Sequence, residues 1–202
     1  KFNKPLVLVG TGQTGNNWTS IPFHNPYGNF NSFCTQTGLK TTFPATVLTV
    51  KNYRDELGFK SCTCGFTCAT DAYFTAPLVM GKMIQIRAVA GTPTSIIIVG
   101  SHNSGQSLHV KEAVDFWYSV PYHSTAVNTD DLCTQIGLTS SGIPKATVTR
   151  LNPGPPAAFQ TTTCGNSATR FNLVLGEGLQ LREANPASPA GIREFDFVPA
   201  HY

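Results

Sequence analysis

Four of the five histidines, all six cysteines and the segment Gly10-Thr-Gly12-Gln-Thr-Gly15 are the residues whose types and spacing bear on chemistry. His24 and His123 stand 99 positions apart, and so do His102 and His201. Each closes an extended, β-rich stretch. Should neighbouring strands bring His24 beside His102, or His123 beside His201, two imidazoles would begin a metal site. A zinc site needs at least three protein ligands, and no third is visible. The expectation is therefore no metal, with each imidazole tying a strand end to backbone groups. His24, His102, His123 and His201 remain the candidates if a metal is bound.

The glycine segment matches the dinucleotide-binding fingerprint letter by letter and follows the apolar run Leu6 to Val9. That chemistry requires a helix next, whose N-terminal amides receive the pyrophosphate. Here Asn16-Asn-Trp-Thr-Ser-Ile-Pro follows, which reads as turn and then strand. A plain glycine-rich turn is expected, with no cofactor. Hydrolysis would need paired carboxylates or an activated nucleophile. The 11 acids are sparse, Asp130-Asp131 is explained as a helix start, and no Gly-x-Ser-x-Gly occurs. No catalytic residue is assigned and no enzyme is expected.

The elements that must position these residues come twice. Trp18-Thr-Ser-Ile-Pro-Phe-His24 matches Trp117-Tyr-Ser-Val-Pro-Tyr-His123, and Phe33-Cys-Thr-Gln-Thr-Gly-Leu39 matches Leu132-Cys-Thr-Gln-Ile-Gly-Leu138, both at an offset of 99. Val79 to Arg87 matches Val174 to Arg182 at 95, and Ile96 to His102 matches Phe195 to His201 at 99. Four blocks in one order at nearly one offset mark a tandem duplication. The expected boundaries are 1–103 and 104–202, joined through the Gly/Ser/Asn segment Ser101 to Ser107.

Each copy reads as an opening strand (Leu6 to Val9; Leu108 to Val110), a Trp-bearing strand and a short helix. The helix ends at Gly38 or Gly137. An alternating strand follows (Ala45 to Val50; Ala146 to Leu151), then a variable loop. A hairpin-like pair turning at Gly81 or Gly176 and a closing strand complete the copy. Thr129-Asp-Asp-Leu is a helix-start signature, because a hydroxyl caps free amides and acids suit the positive end of the helix dipole. Short strands joined by Gly- and Pro-rich turns predict an all-β, sandwich-like fold with one short helix per domain, repeated in tandem.

Six cysteines allow 15 pairings, and the duplication narrows them. Cys34 aligns with Cys133, and Cys64 with Cys164, so Cys34–Cys64 and Cys133–Cys164 staple each helix to a segment 30 or 31 residues on. Cys62 and Cys68 are extra to the first copy and pair with each other. The rival reading, a metal held by Cys34, Cys62, Cys64 and Cys68, fits the usual Cys-x₂₋₄-Cys zinc spacing poorly.

Composition bounds the rest. Charged residues make up 12% of the chain, about half of the roughly 25% usual in soluble proteins. The 14 Lys and Arg are scattered, with no run that would track a phosphate backbone, and the net charge is +3; nucleic acid is not an expected partner. No apolar stretch approaches the ~20 residues of a membrane helix. The stretch from Lys1 to Gly10 lacks an apolar signal segment, which predicts a mature form whose export signal is gone. Paired cysteines place the chain in an oxidising, extracellular or cell-surface setting.

The pattern Trp-x-Ser-[Ile/Val]-Pro-[Phe/Tyr]-His, then Asp-Leu-Cys, a later Cys-Gly, a Gly-x-Gly turn and a strand ending Val-Gly-Ser-His resembles modules of large secreted and surface proteins of environmental bacteria. The resemblance spans nearly the whole chain in two copies. The first copy departs from it with Ser32-Phe33-Cys34 in place of Asp-Leu-Cys. It implies an extracellular, modular setting and nothing about catalysis.

Trp18 and Trp117 are expected as core anchors rather than sugar platforms. Asn17-Trp18-Thr19 is a glycosylation sequon, discounted because a buried Trp18 would hide it. The leading expectation is a non-enzymatic structural module of a cell-surface or filament assembly, with protein partners or self-association. The alternative is a glycan-binding module using Phe23, Tyr27 and Tyr122.

Overall fold

A computed structural model describes residues 1–10, 13–21, 25–51, 53–54, 58–79, 81–100, 108–111, 115–120, 124–138, 146–152, 158–174, 176–182 and 194–197. In chain order the first half holds β1 (Phe2–Pro5), β2 (Val9–Gly10), β3 (Gln13–Thr14), β4 (Asn16–Ser20), α1 (Phe30–Gln36), β5 (Val47–Lys51) and β6 (Phe59–Thr63). It continues with α2 (Thr67–Thr70), α3 (Ala72–Thr75), β7 (Met83–Arg87) and β8 (Ser95–Ile98). The second half holds β9 (Leu108–Lys111), β10 (Asp115–Ser119), α4 (Thr129–Ile136), β11 (Thr147–Asn152), β12 (Ala158–Thr163), β13 (Gly178–Arg182) and β14 (Glu194–Phe197).

The fold is β-rich, with antiparallel sheets and a few short helices. Each half carries a four-stranded sheet of one order, β4-β7-β5-β6 and β10-β13-β11-β12, and each pairs its first strand with its last, β1 with β8 and β9 with β14. The registers correspond as well: Val47 faces Thr63 across β5–β6, and Thr147 faces Thr163 across β11–β12.

Five expectations change. The opening strand of the first half is β1 (Phe2–Pro5) rather than Leu6 to Val9, and the cap of α4 is Asn128 rather than Thr129. The segment read as a variable loop contains a strand in each half, β6 and β12, because Phe59-Lys-Ser-Cys-Thr63 and Ala158 to Thr163 are rich in Thr and aromatic residues that suit a pleated edge. The segment at Gly81 or Gly176 is not a hairpin. Each glycine sits at positive φ and leads into a central strand, β7 or β13, whose partners are the Trp strand and the alternating strand. The first half also has two one-turn helices, α2 and α3, beside the single helix expected. The expected linker, 101–107, lies outside the described residues.

Strand alternation sorts side chains onto two faces. On one face Leu48, Val50, Ile84 and Ile86 bury against Phe30, Phe33 and Cys34 of α1. In the second half Tyr118, Val148, Leu179 and Leu181 bury with Leu132, Cys133 and Ile136 of α4. Both helices start on an asparagine cap. The Asn29 side chain accepts from Ser32 N–H, while Asn128 and Asp131 form a reciprocal capping box.

The other faces turn toward each other, so the sheets of the two halves pack together through β4, β7, β10 and β13. Trp18, Met83 and Trp117 form a separate apolar cluster between them, with Leu151 against it. Residues 17–20 of β4 are therefore buried on both faces.

The three cysteine pairs are disulfide-bonded: Cys34–Cys64, Cys62–Cys68 and Cys133–Cys164, with Cα separations of 5.7, 5.0 and 5.8 Å. The two long staples each tie a helix to the residue just after an edge strand. Among the described residues no helix is long and apolar enough to cross a membrane.

Candidate functional site

The seam between the halves is built from paired contacts. Ser20 N–H donates to Gly176 O at 3.1 Å, and the matching Ser119 N–H donates to Gly81 O at 3.0 Å. The Trp18 ring packs on Phe159 with centroids 5.5 Å apart, and Trp117 packs on Phe59 at 5.7 Å. The two indoles meet at 5.7 Å. Each indole N–H is satisfied within its own half, Trp18 Nε1 by Gln85 Oε1 at 3.0 Å and Trp117 Nε1 by Gln180 Oε1 at 3.3 Å. Exchanging the halves maps each contact onto its mate, the relation found across a two-fold dimer interface.

The symmetry breaks where the aligned residues differ. Met83 and Gly178 are equivalent positions, and a Cβ built on Gly178 would lie 2.2 Å from Met83 Cγ. The Met83 side chain thus occupies the volume that Gly178 leaves open. Gly176, at φ +76°, is likewise covered by the Phe2 ring, 2.4 Å from where a Cβ would stand. On one side of the seam Lys51 Nζ bridges to Asp115 Oδ2 at 2.8 Å, linking β5 to β10.

On the opposite side lies a groove of about 270 Å³, lined by Phe2, Lys4, Trp18, Arg150, Leu151 and Glu177 among others. β1 of the first half forms one wall, while β11 and the turn before β13 form the other. Arg150 has partners of its own. Its Nε donates to Gln160 Oε1 at 2.8 Å and Nη1 donates to Asn172 O at 3.2 Å, while the guanidinium lies over the Phe171 ring at 4.3 Å. It also stands 3.8 Å from Glu177 Oε1. The other Glu177 oxygen accepts from Val174 N–H at 3.1 Å.

Burial raises the Glu177 carboxyl above its ordinary value, against the lowering effect of the Val174 N–H, Arg150 and Lys4. Burial also lowers the Lys4 ammonium, with Glu177 pulling the other way. Among the described residues Lys4 has neither an ion pair within 4.0 Å nor a hydrogen-bond acceptor. Glu177 thus faces two cations, Lys4 and Arg150, and the three side chains leave the groove one positive charge in excess.

No protein-family model, curated protein or solved structure matches this chain. Its chemistry is therefore read from its own residues.

Residues singled out in the sequence fall elsewhere. His24, His102, His123 and His201 lie outside the described residues, as do Phe23 and Tyr122 of the aromatic set. Tyr27, the third of that set, is buried at 4% exposure, accepts from Val99 N–H at 2.8 Å and packs edge-on against Phe33. It offers no face for stacking on a sugar. The sulfurs of Cys34, Cys64 and Cys68 lie within 4.8 Å of one another, yet they belong to two adjacent disulfides. Metal binding uses thiolates, so this donor set does not suit a metal.

Residues 11 and 12 of the glycine segment lie outside the described residues. β2 pairs with β3, Val9 with Thr14, and Ala88 N–H donates to Gly15 O as the chain enters a strand rather than a helix. The Asn17 of the sequon is fully buried, with its amide bonded to Val7 O, Gly15 O and Ile86 O and its oxygen to Val7 N–H. Lys4, Arg150 and Glu177 escaped notice because they are far apart in sequence and belong to no motif. Comparing the two halves is the signal that finds them: strand register sets Lys4 opposite Val110 and Arg150 opposite Val50, and the aligned turn sets Glu177 opposite Lys82.

Proposed function

We propose that the chain is a non-catalytic structural module of an extracellular or cell-surface assembly. The observation that carries this reading is the pair of edge strands β6 and β12. Each is hydrogen-bonded to its sheet on one side only, and each projects an exposed ring, Phe59 at 63% and Phe159 at 67% exposure. Proteins that stay monomeric guard such edges with charge, bulges or proline. β6 carries one lysine and β12 no charged residue at all. Strand-to-strand association, with another copy or a partner protein, uses those free edges. The buried disulfides fit an oxidising compartment, and the sparse charge fits a packed, assembled surface.

Electron microscopy and sedimentation of the purified protein over a range of concentrations and salts test the reading. Ordered, concentration-dependent assemblies are expected, and a Ser61→Lys/Thr161→Lys variant, which charges both exposed edges and leaves the seam rings in place, should no longer form them. Isolated 21.7-kDa particles under every condition would overturn it.

A further inference from the structure

The edge strands leave the groove between the halves unused. The two halves supply an internal comparison for it: the positions aligned with Lys4, Arg150 and Glu177 hold Val110, Val50 and Lys82. A half-buried ammonium with no ion-pair contact or hydrogen-bond acceptor is costly to maintain.

We infer that this groove binds a small hydroxylated carboxylate of the uronic-acid class, with the ligand carboxylate on Lys4. The size of the groove limits the ligand. Pockets for drug-sized molecules measure about 300–1,000 Å³, so a groove of about 270 Å³ takes a single ring rather than an extended chain. Phe2 and Leu151 offer apolar surface to the C–H face of a sugar ring, and Asn152 offers a carboxamide to its hydroxyls.

Glu177, held by Arg150 and the Val174 N–H, is an acceptor for a further hydroxyl, while Lys4, which has no ion-pair contact of its own, takes the acid. Two sources share this chemistry, the free sugar acid and a uronate residue within an acidic polysaccharide. The inference does not depend on assembly through β6 and β12, and either can fail without the other.

Calorimetric titration of the full chain with sodium glucuronate, glucose, acetate and an oligogalacturonate is the test. Glucuronate is expected to saturate one site with a Kd at or below about 1 mM, with glucose and acetate at least tenfold weaker. Lys4→Met keeps the aliphatic stem and removes the charge. It should bring glucuronate down to the level of glucose with a melting temperature no lower than the parent's, and Lys4→Arg should restore binding. Tighter binding of the oligogalacturonate assigns the polysaccharide as source, and equal or weaker binding assigns the free acid. The inference is overturned if glucuronate fails to saturate by about 10 mM, if acetate or glucose binds equally well, or if Lys4→Met binds as the parent does.

Discussion

Gly178 shows how much a single side chain decides at the seam. Its alignment partner is Met83, and the two occupy complementary volumes where the halves meet. Two methionines there would collide, and two glycines would leave a void. The pair favours the first half packing on the second over either packing on its like. Gly178→Ala places a methyl against the middle of the Met83 side chain rather than its free end, so Met83 must move within a packed cluster. Overpacking of this kind costs about 1–3 kcal/mol. Chemical denaturation should show that loss, and a second change, Met83→Ala, should recover part of it. An unchanged midpoint in Gly178→Ala would show that the halves do not meet there.

Among the elements, the helices and edge strands are coupled through sulfur. Cys34–Cys64 and Cys133–Cys164 close loops of 30 and 31 residues, and Cys62–Cys68 closes one of 6. In the chain-entropy account a loop near 30 residues contributes about 3.6 kcal/mol and a loop of 6 about 2 kcal/mol. Replacing both members of a pair by alanine should follow that order, with the Cys133/Cys164 variant losing more than the Cys62/Cys68 variant in urea unfolding. The second half lacks a second staple, so its loss should also unfold α4 and β12 ahead of the first half. Hydrogen exchange would detect this as early loss of protection at 129–136 and 158–163.

For the molecule as a whole, buried tyrosines set the alkaline limit. Tyr27, Tyr53 and Tyr118 all have their phenols raised above the ordinary value by burial. Tyr27 and Tyr53 are partly offset by backbone hydrogen bonds, whereas Tyr118 has no hydrogen-bond partner for its hydroxyl. A raised folded value means that the unfolded chain releases these protons first. Their contribution to stability is complete below about pH 10 and is lost as pH rises through the folded values, at up to about 1.4 kcal/mol per pH unit for each tyrosine. Denaturant midpoints should hold steady up to about pH 9.5 and then fall. The 295-nm absorbance of these three tyrosines should rise only with unfolding. Their titration near pH 10 in a chain with native circular dichroism would contradict the burial described.

Much was legible before any coordinates. The duplication is written in matched blocks, and alignment of Cys34 with Cys133 and of Cys64 with Cys164 leaves Cys62 and Cys68 to each other, the pairs found in the structure. The β character follows from alternating Val, Ile and Thr, and Asn16 to Ser20 after the glycine segment form a strand rather than a helix.

Two features needed the tertiary structure. Trp18 and Trp117 were legible as buried anchors, yet burial does not say against what, and they bury in the other half rather than in their own core. Local patterning records which face of a strand is apolar but not which surface covers it. Lys4, Arg150 and Glu177 are scattered polar residues until β1 folds across the second half and encloses them in one groove. Periodicity and disulfide spacing are properties of neighbouring sequence. The seam and its excess positive charge exist only once segments about 150 residues apart in the chain come into contact.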